Sequence, residues 1–165
     1  MTVVIVETKL PESRAQRSWA LGPLISALFI TSDLKIQSIT LSPYKTFSCE
    51  IQGKGLENQI FKWMENYAMR QKVSTPLPLD LSMCSRFMQK GLSAISKIKW
   101  GDVKSYGEIA SHIGCAKGAR AIGNVCNKNP FPLVIPCHRV VSKSGGIGGF
   151  AYDISMKQNL LDHES

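Results

Sequence analysis

Cysteine and histidine are scarce in this sequence, and neither forms a pattern that holds a metal or a disulfide framework. The chain has five cysteines, an odd number with no CxxC pair, and three histidines. Such a set argues against a disulfide-stapled domain and against a zinc ribbon or finger. We therefore expect free thiols in a reducing, intracellular compartment, the cytoplasm or, in a eukaryote, the nucleus. We expect no metal and no cofactor.

Long hydrophobic runs are also missing. The longest apolar stretch covers residues 18–30 and contains the helix-breaking pair Gly22-Pro23. A membrane-spanning helix needs about 20 apolar residues, so this stretch is predicted to belong to a folded core. Arg14 and Arg17 precede it as in a secretory signal, but no small-residue cleavage site follows.

Acidic side chains are outnumbered by basic ones. The 165 residues carry 20 Lys and Arg against 12 Asp and Glu, a formal net charge of +8. Residues 97–143 alone hold eight basic and two acidic side chains. An excess of this kind attracts polyanions, whether a nucleic acid duplex or an anionic membrane.

The two halves of the chain differ in pattern. The first alternates short β-rich runs with polar breaks and then shows helical spacing from Leu56 onward. The β-rich runs cover residues 2–6, 24–30 and 36–41. Two nearby prolines then mark a linker. We predict an α/β chain with an N-terminal domain over residues 1–74, a linker over 75–79 and a mainly helical C-terminal domain over 80–165.

Helices dominate the predicted C-terminal domain. A long amphipathic helix is expected over residues 82–100, followed by a short helix that opens with a capping box between Ser105 and Glu108. A second short helix is expected over residues 119–127, and a closing helix over residues 155–163. Two short helices joined by a small glycine-bearing turn are typical of a helix-turn-helix.

One face of the second short helix carries polar side chains and a glycine. Arg120, Gly123, Asn124 and Asn127 recur at the spacing of neighbours on a helix surface. The glycine lets another backbone approach closely, so this face suits contact with nucleic acid. An ordinary solvated helix surface is the alternative interpretation of the same pattern.

A candidate nucleophile stands in the run Ile135-Pro136-Cys137-His138-Arg139-Val140-Val141. A thiol attacks as thiolate, which a neighbouring base or cation promotes. On an extended segment adjacent side chains point to opposite sides, so we expect Cys137 and His138 to communicate through a bend or a bridging water. As a bare pattern, a cysteine beside a histidine is more often an inert buried thiol.

The surrounding motifs favour the reactive interpretation. Arg120-Ala121-Ile122-Gly123, Asn129-Pro130 and the Pro136–Val141 run together resemble the O6-alkylguanine-DNA alkyltransferase family in order and spacing. Tyr106 and the terminal Leu160–Glu164 run also match that family's pattern. The resemblance covers residues 79–165 and implies a winged-helix-like C-terminal domain. The N-terminal half carries no motif but is compatible with the family's variable, RNase H-like domain.

The resemblance implies direct reversal of DNA alkylation. The protein would bind duplex DNA through the minor groove as a monomer and rotate the damaged guanine out of the stack. It would then transfer the alkyl group from guanine O6, and possibly from thymine O4, to its own cysteine. A thioether has no exchange route back to thiol, so each molecule would act once as a methyltransferase.

The family's roles carry over to matching residues. Cys137 is the implied nucleophile, Glu164 orients His138, and His138 deprotonates the thiol through a water. Tyr106 would assist the departing guanine, and Asn129 would rigidify the segment before the active site. Arg120 would fill the space that the rotated base leaves. The implied DNA contacts are Lys117, Ala119, Arg120, Ala121, Gly123, Asn127 and Lys143. The implied substrate pocket comprises Tyr106, Pro132, Val140, Phe150 and Ala151.

Departures from the family pattern narrow these expectations. Phe150 stands where many members have tyrosine and so lacks the hydroxyl. Tyr152 puts bulk where glycine is frequent, which weighs against tolerance of large O6 substituents such as benzyl. The zinc ligands found in some members cannot be assembled, because the N-terminal half offers only Cys49 and no histidine.

Three other functions remain open at this point. A non-catalytic relative would bind alkyl lesions without transfer, but such relatives lack the reactive cysteine. A cysteine hydrolase or acyltransferase would leave the helix-turn-helix and its basic stretch unexplained. A plain helix-turn-helix regulator would leave the motif around Cys137 without a purpose.

Overall fold

A computed structural model describes residues 8–9, 14–71, 73 and 76–165. The chain divides into two compact units, Met1–Asp80 and Leu81–Ser165. Among the described residues, no helix combines the length and the apolar character that crossing a membrane requires. The architecture is mixed α/β, with a sheet in the first unit and most of the helices in the second.

A five-stranded sheet forms the first unit. Its strands are β1 (Thr8–Lys9), β2 (Arg14–Trp19), β3 (Ile25–Ser32), β4 (Lys35–Pro43) and β5 (Phe47–Gln52). They lie in the order β1-β2-β5-β3-β4, with β3 and β5 parallel and the other neighbours antiparallel. Burial alternates along β3, as expected for a strand with one face on the core.

The helix α1 (Glu57–Ala68) supplies the other apolar surface of this unit. Its buried residues include Met64 and Tyr67, and the Tyr67 ring lies 5.7 Å from that of Phe47. Phe47 in turn packs 5.7 Å from Trp19 on β2. These aromatic contacts join strands and helix in one hydrophobic core.

The sequence predicted this unit in part. The run over 24–30 matches β3, the run over 36–41 lies within β4, and the helical spacing from Leu56 matches α1. The predicted run over 2–6 and residues 74–75 at the predicted linker lie outside the described residues. Strands β2 and β5 were not predicted. Polar residues leave β2 without an apolar alternation, whereas in β5 Phe47, Cys49 and Ile51 alternate with polar residues, and this available signal was overlooked.

Four helices build the second unit. They are α2 (Arg86–Ser96), α3 (Tyr106–His112), α4 (Ala119–Asn127) and α5 (Ile154–Glu164). The short strands β6 (Lys104–Ser105) and β7 (Val140–Val141) pair in parallel. Helices α3 and α4 pack against each other across the turn at residues 113–118.

Local capping fixes where several of these helices begin. Both halves of the predicted capping box form: the Glu108 amide donates to Ser105 Oγ at 3.2 Å, and the Ser105 amide donates to the Glu108 carboxylate at 2.7 Å. The expectation of a helix over 82–100 was too long. The helix begins only after Ser85, whose hydroxyl accepts from the Met88 amide, and it ends at Ser96.

The segment that carries the cysteine motif is bent, and a bend was one of the two arrangements expected for communication between Cys137 and His138. Cys137–Arg139 form one turn of 3-10 helix, and the chain extends only from Val140. The bend therefore lies within the motif itself.

Gly118, in the turn between α3 and α4, has no room for a side chain. A Cβ on Gly118 would lie 2.5 Å from the Cys115 sulfur and 2.8 Å from its carbonyl oxygen. Gly118→Ala should therefore cost about 1–3 kcal/mol of unfolding free energy, measured by urea denaturation. Gly107→Ala in α3 is the control, since no atom lies within 4 Å of its Cβ position. It should leave stability unchanged or raise it by up to about 1 kcal/mol. Equal stability of the two variants would contradict this packing.

Candidate active site

A pocket of about 530 Å³ lies beside α4 in the second unit. One wall is the α4 surface, which we define as Ala119, Arg120, Gly123, Asn124 and Asn127. The other lining residues are Tyr106, Cys126, Cys137, Gly149, Phe150 and Ala151. A candidate nucleophile thus shares a pocket with the helix face that the sequence predicted to contact nucleic acid.

Asn129 fixes the loop that leads into Cys137. Its side-chain amide donates to the Ile135 carbonyl at 2.9 Å, and its side-chain oxygen accepts from the Phe131 amide at 2.9 Å. Between these anchors Leu133 adopts a φ of 72°, a conformation that non-glycine residues rarely take. The clamp therefore holds a strained backbone just before the active-site segment.

The Cys137 thiol is almost fully enclosed, with 3% of the residue exposed. Burial raises its pKa, while a hydrogen bond from Asn129 and the positive charge of Lys157 oppose that rise. Because the ordinary pKa of cysteine already lies above neutrality, the resting group is a thiol. Attack by this sulfur therefore needs a base.

The Glu164 carboxylate forms hydrogen bonds with two side chains of the active-site segment. His138 Nε2 lies 2.7 Å from one carboxylate oxygen, and Arg139 donates to both oxygens at 2.7 and 3.0 Å. Arg139 also donates to the Ile98 carbonyl at 2.6 Å. Burial alone would raise the pKa of Glu164, but the hydrogen bonds from His138 and Arg139 hold it at about 2. The carboxylate is therefore ionised at neutral pH.

An ionised carboxylate decides which nitrogen of His138 carries the proton. A carboxylate only accepts hydrogen bonds, so Nε2 is the protonated nitrogen. Burial lowers the pKa of His138, against the opposing effect of Glu164, so the ring is neutral at pH 7. Nδ1 then carries a lone pair, and it has no hydrogen-bond partner among the described residues. The geometry makes His138 an available base next in sequence to the thiol.

Tyr106 also lines the pocket and is the first residue of α3. Its hydroxyl donates to the Gly149 carbonyl at 3.2 Å. Burial raises its pKa above the ordinary value, so the group remains a protonated phenol that can donate. Gly148 has a φ of 73°, and a Cβ there would come within 3.2 Å of the Tyr106 ring. This loop accordingly fits against the phenol only with glycine.

The structure places the remaining predicted residues as follows. Phe150 and Ala151 line the pocket, whereas Pro132 and Val140 are buried and do not line it. Lys117 and Lys143 are exposed, and Ala121 is half-buried outside the pocket lining. Tyr152 does not line the pocket either; its ring packs 5.6 Å from that of Phe150. Its bulk therefore lies outside the pocket wall.

Sequence reasoning missed two residues of the site. Lys157 is fully buried, and its ammonium donates to the carbonyls of Val140 at 2.7 Å and Gly149 at 2.9 Å. Arg139, to which the sequence analysis gave no role of its own, pairs with Glu164. A lysine at 157, between the core residues Met156 and Leu160 of α5, was the available signal.

A family model and several relatives match this chain. The model of the 6-O-methylguanine DNA methyltransferase DNA-binding domain matches residues 86–165. A probable methylated-DNA–protein-cysteine methyltransferase of Acanthamoeba polyphaga mimivirus is 33% identical over 99% of this chain and 97% of its own length. The methyltransferase of Methanocaldococcus vulcanius is 45% identical, but this match spans only about half of each protein, 48%.

A solved structure resembles the fold. A crystal structure of Mycobacterium tuberculosis OGT in complex with DNA superposes with a TM-score of 0.68 and 25% identity, over 84% of this chain and 92% of that one. The mixed α/β fold is that of the O6-methylguanine methyltransferase class of structures. Together with the family model, the near full-length viral relative shows that the chain belongs to the methylated-DNA–protein-cysteine methyltransferase family.

The Glu164 cluster predicts a pH-dependent loss of stability. A carboxyl whose pKa falls from 4.5 to about 2 on folding stabilises the fold above pH 4.5, and this contribution is lost as pH falls towards 2. Glu164→Gln should therefore cost on the order of 3 kcal/mol at pH 7 but only about 1 kcal/mol at pH 3, in urea denaturation. Asp162→Asn, an exposed site on the same helix, should stay within about 0.5 kcal/mol. A cost independent of pH would contradict the ionised state of Glu164.

Proposed function

We propose that this protein repairs alkylated DNA by transferring the alkyl group from guanine O6 in a duplex to Cys137. One observation carries the proposal: Cys137 lines a pocket bounded by the α4 surface, and the adjacent His138 is held by Glu164 with its Nδ1 available as a base. Family membership supports it, since relatives carry the name methylated-DNA–protein-cysteine methyltransferase.

The reaction begins with a proton transfer within the buried site. His138 Nδ1 takes the thiol proton of Cys137 through a water molecule, and Glu164 stabilises the imidazolium that forms. The sulfur lone pair then attacks the alkyl carbon, so the S–C bond forms while the C–O6 bond breaks. Both groups start neutral, which suits a site that must be stable before substrate arrives.

Tyr106 handles the charge on the leaving group. As the C–O6 bond breaks, its electron pair stays on guanine, and the departing base becomes negative unless a donor compensates it. The protonated phenol of Tyr106 lies in the same pocket and can donate a hydrogen bond or a proton to the base. Proton balance then closes as His138 returns its proton to the tyrosine or to solvent.

The product limits each molecule to one reaction. Cys137 becomes a thioether, which thiol exchange does not reverse. Cys126 also lines the pocket, and burial raises the pKa of that thiol to about 12. Unlike Cys137, it has no histidine next to it in the sequence to act as a base. The protein is accordingly proposed to be a single-turnover methyltransferase, with thymine O4 as a secondary target.

DNA contact is assigned to the α4 surface and its neighbouring loops. Arg120 is exposed on that surface at the rim of the pocket, where it can occupy the space left by a rotated guanine. The exposed Lys117 and Lys143 can supply phosphate contacts. We propose that α3 and α4 act as a helix-turn-helix that approaches the minor groove, and that the protein binds as a monomer.

The finer architecture and location belong to the same proposal. A mixed sheet with one parallel pair and a covering helix supports an RNase H-like first domain over residues 1–74. Helices α3 and α4 with the β6–β7 pair support a winged-helix-like domain over residues 80–165, after a linker over 75–79. The expected compartment is the cytoplasm, or the nucleus in a eukaryote.

Intact-mass measurement tests the proposed transfer. Incubation with duplex DNA containing O6-methylguanine should add one methyl group per molecule, and peptide mapping should place it on Cys137. Cys137→Ser should gain no mass yet still bind the duplex, because a hydroxyl of similar size is a far weaker nucleophile. An unmodified mass that accompanies tight lesion binding would instead indicate a non-catalytic lesion-binding protein.

Arg120→Ala separates DNA handling from chemistry. The variant should slow methyl transfer from duplex DNA by tenfold or more, since it loses a group that stabilises the rotated state. Transfer from the free O6-methylguanine base should change little, because a free base has no stack to leave. Lys35→Ala, an exposed change in the first unit, is the control. Equal slowing on both substrates would show that Arg120 acts in folding or chemistry.

A further inference from the structure

A second groove lies in the Leu81–Ser165 unit, apart from the pocket of Cys137. It has a volume of about 550 Å³ and is bounded by α2 and the end of α3. It shares no lining residue with the pocket of Cys137. The proposed transfer reaction uses none of its side chains, so its composition needs a separate explanation.

Three cations of the groove lie along one face of α2 extended by Lys97, the residue that caps its C-terminal end. Arg86, Lys90 and Lys97 stand at positions i, i+4 and i+11, with Ser93 at i+7 between them. This spacing places all four on one side of a helix, over a length of about 16 Å. His112 at the end of α3 faces the same groove and adds a ring N–H donor.

No acidic side chain balances this charge. The sequence contains no Asp or Glu from residue 81 to residue 101, and none lines the groove. All three cations are exposed, and none forms an ion pair with the part of the chain that the structure describes. Like charges on one helix face repel each other, so the fold itself gains nothing from this arrangement.

We propose that this basic groove, formed by Arg86, Lys90, Lys97 and His112, binds the phosphate backbone of nucleic acid at a place separate from the α4 surface. Phosphates follow one another along a strand with a rise of about 3.4 Å, so a row of about 16 Å can contact several of them. The contact is independent of base sequence and of damage. It goes beyond the proposed function, which assigns DNA contact to the α4 surface and its loops.

The composition of the groove favours nucleic acid over an acidic protein. Centres of protein–protein interfaces are depleted in charge and in lysine and enriched in aromatic residues. Here only Ala94 and Ile113 contribute apolar side chains, and no Phe, Tyr or Trp lines the groove. Solvated cations that line a groove on one helix face are the usual form of a contact with the phosphate backbone.

The salt dependence of binding to an undamaged 16-base-pair duplex tests this inference. In the groove variant, Arg86, Lys90 and Lys97 are all replaced by Gln. The matched control replaces Lys35, Lys45 and Lys54, three exposed lysines of the first unit, so both variants lose the same net charge. Loss of three phosphate contacts should make the slope of log K against log salt shallower by about two to three. Between 50 and 200 mM salt, the parent should lose roughly 40-fold more affinity than the groove variant.

Each outcome of this experiment either supports or overturns phosphate binding by the basic groove. A shallower slope in the groove variant alone supports it, and the conservative exchange Arg86→Lys, Lys90→Arg, Lys97→Arg should then restore the parent slope. Equal slopes in the groove variant and the parent overturn it, as does the same change in both triple-Gln variants, which would reflect net charge alone. Binding of an acidic peptide that the groove variant loses, with an unchanged duplex slope, would assign the groove to a protein partner and also overturn it.

A separate assay of methyl transfer tests the proposed function in the same proteins. Methyl transfer from the free O6-methylguanine base to Cys137 involves no phosphate, so the groove variant should keep the parent rate if it is folded. If the parent protein accepts no methyl group, the proposed function is contradicted. The comparison of salt slopes between the parent and the groove variant would still be valid. A normal transfer rate with an unchanged slope would contradict only the groove.

Discussion

The buried carboxylate of Glu164, bound at once by His138 and Arg139, is the interaction on which the rest of the site depends. Arg139 satisfies both oxygens and is itself fixed by the Ile98 carbonyl, so the last turn of α5 is fastened to the active-site segment and to the end of α2. Removing one member would leave a buried charge uncompensated, which is far costlier than losing a surface pair. The same bonds that join these elements also set the protonation of His138.

With His138 held in this way, Cys137 can be activated for attack although the thiol and the imidazole form no ion pair before substrate binds. Burial raises the pKa of Cys137 and lowers that of His138, so both groups are neutral while the pocket waits for substrate. A buried thiolate would cost solvation energy and react with any small electrophile or oxidant. Lys157, whose ammonium spans the carbonyls of Val140 and Gly149, provides a nearby positive charge that favours the thiolate once it forms.

Local rules predicted the elements whose ends carry their own signals. The capping box at Ser105 marked the start of α3, and the glycine-bearing turn after it gave α4 with its observed bounds, Ala119–Asn127. Such rules could not predict the partners of Arg139 and Lys157, because these contacts form only when the chain folds. Arg139 binds a carboxylate 25 residues away, and Lys157 binds two backbone carbonyls. Motif matching named His138 and Glu164 together, and the structure joins them by a hydrogen bond. It did not supply the bend at Cys137–Arg139, which depends on packing against α5 and α2.

The central claim is that Glu164 holds His138 neutral, protonated on Nε2 and unprotonated on Nδ1. Nitrogen NMR of the protein with labelled histidine reads both ring nitrogens directly, and a His138→Gln variant assigns the signals. At pH 7 we expect one protonated nitrogen for His138, coupled to its Nε2 proton, and an Nδ1 shift typical of an unprotonated ring nitrogen. A proton on Nδ1, in the other neutral tautomer or in an imidazolium, would contradict this role of Glu164.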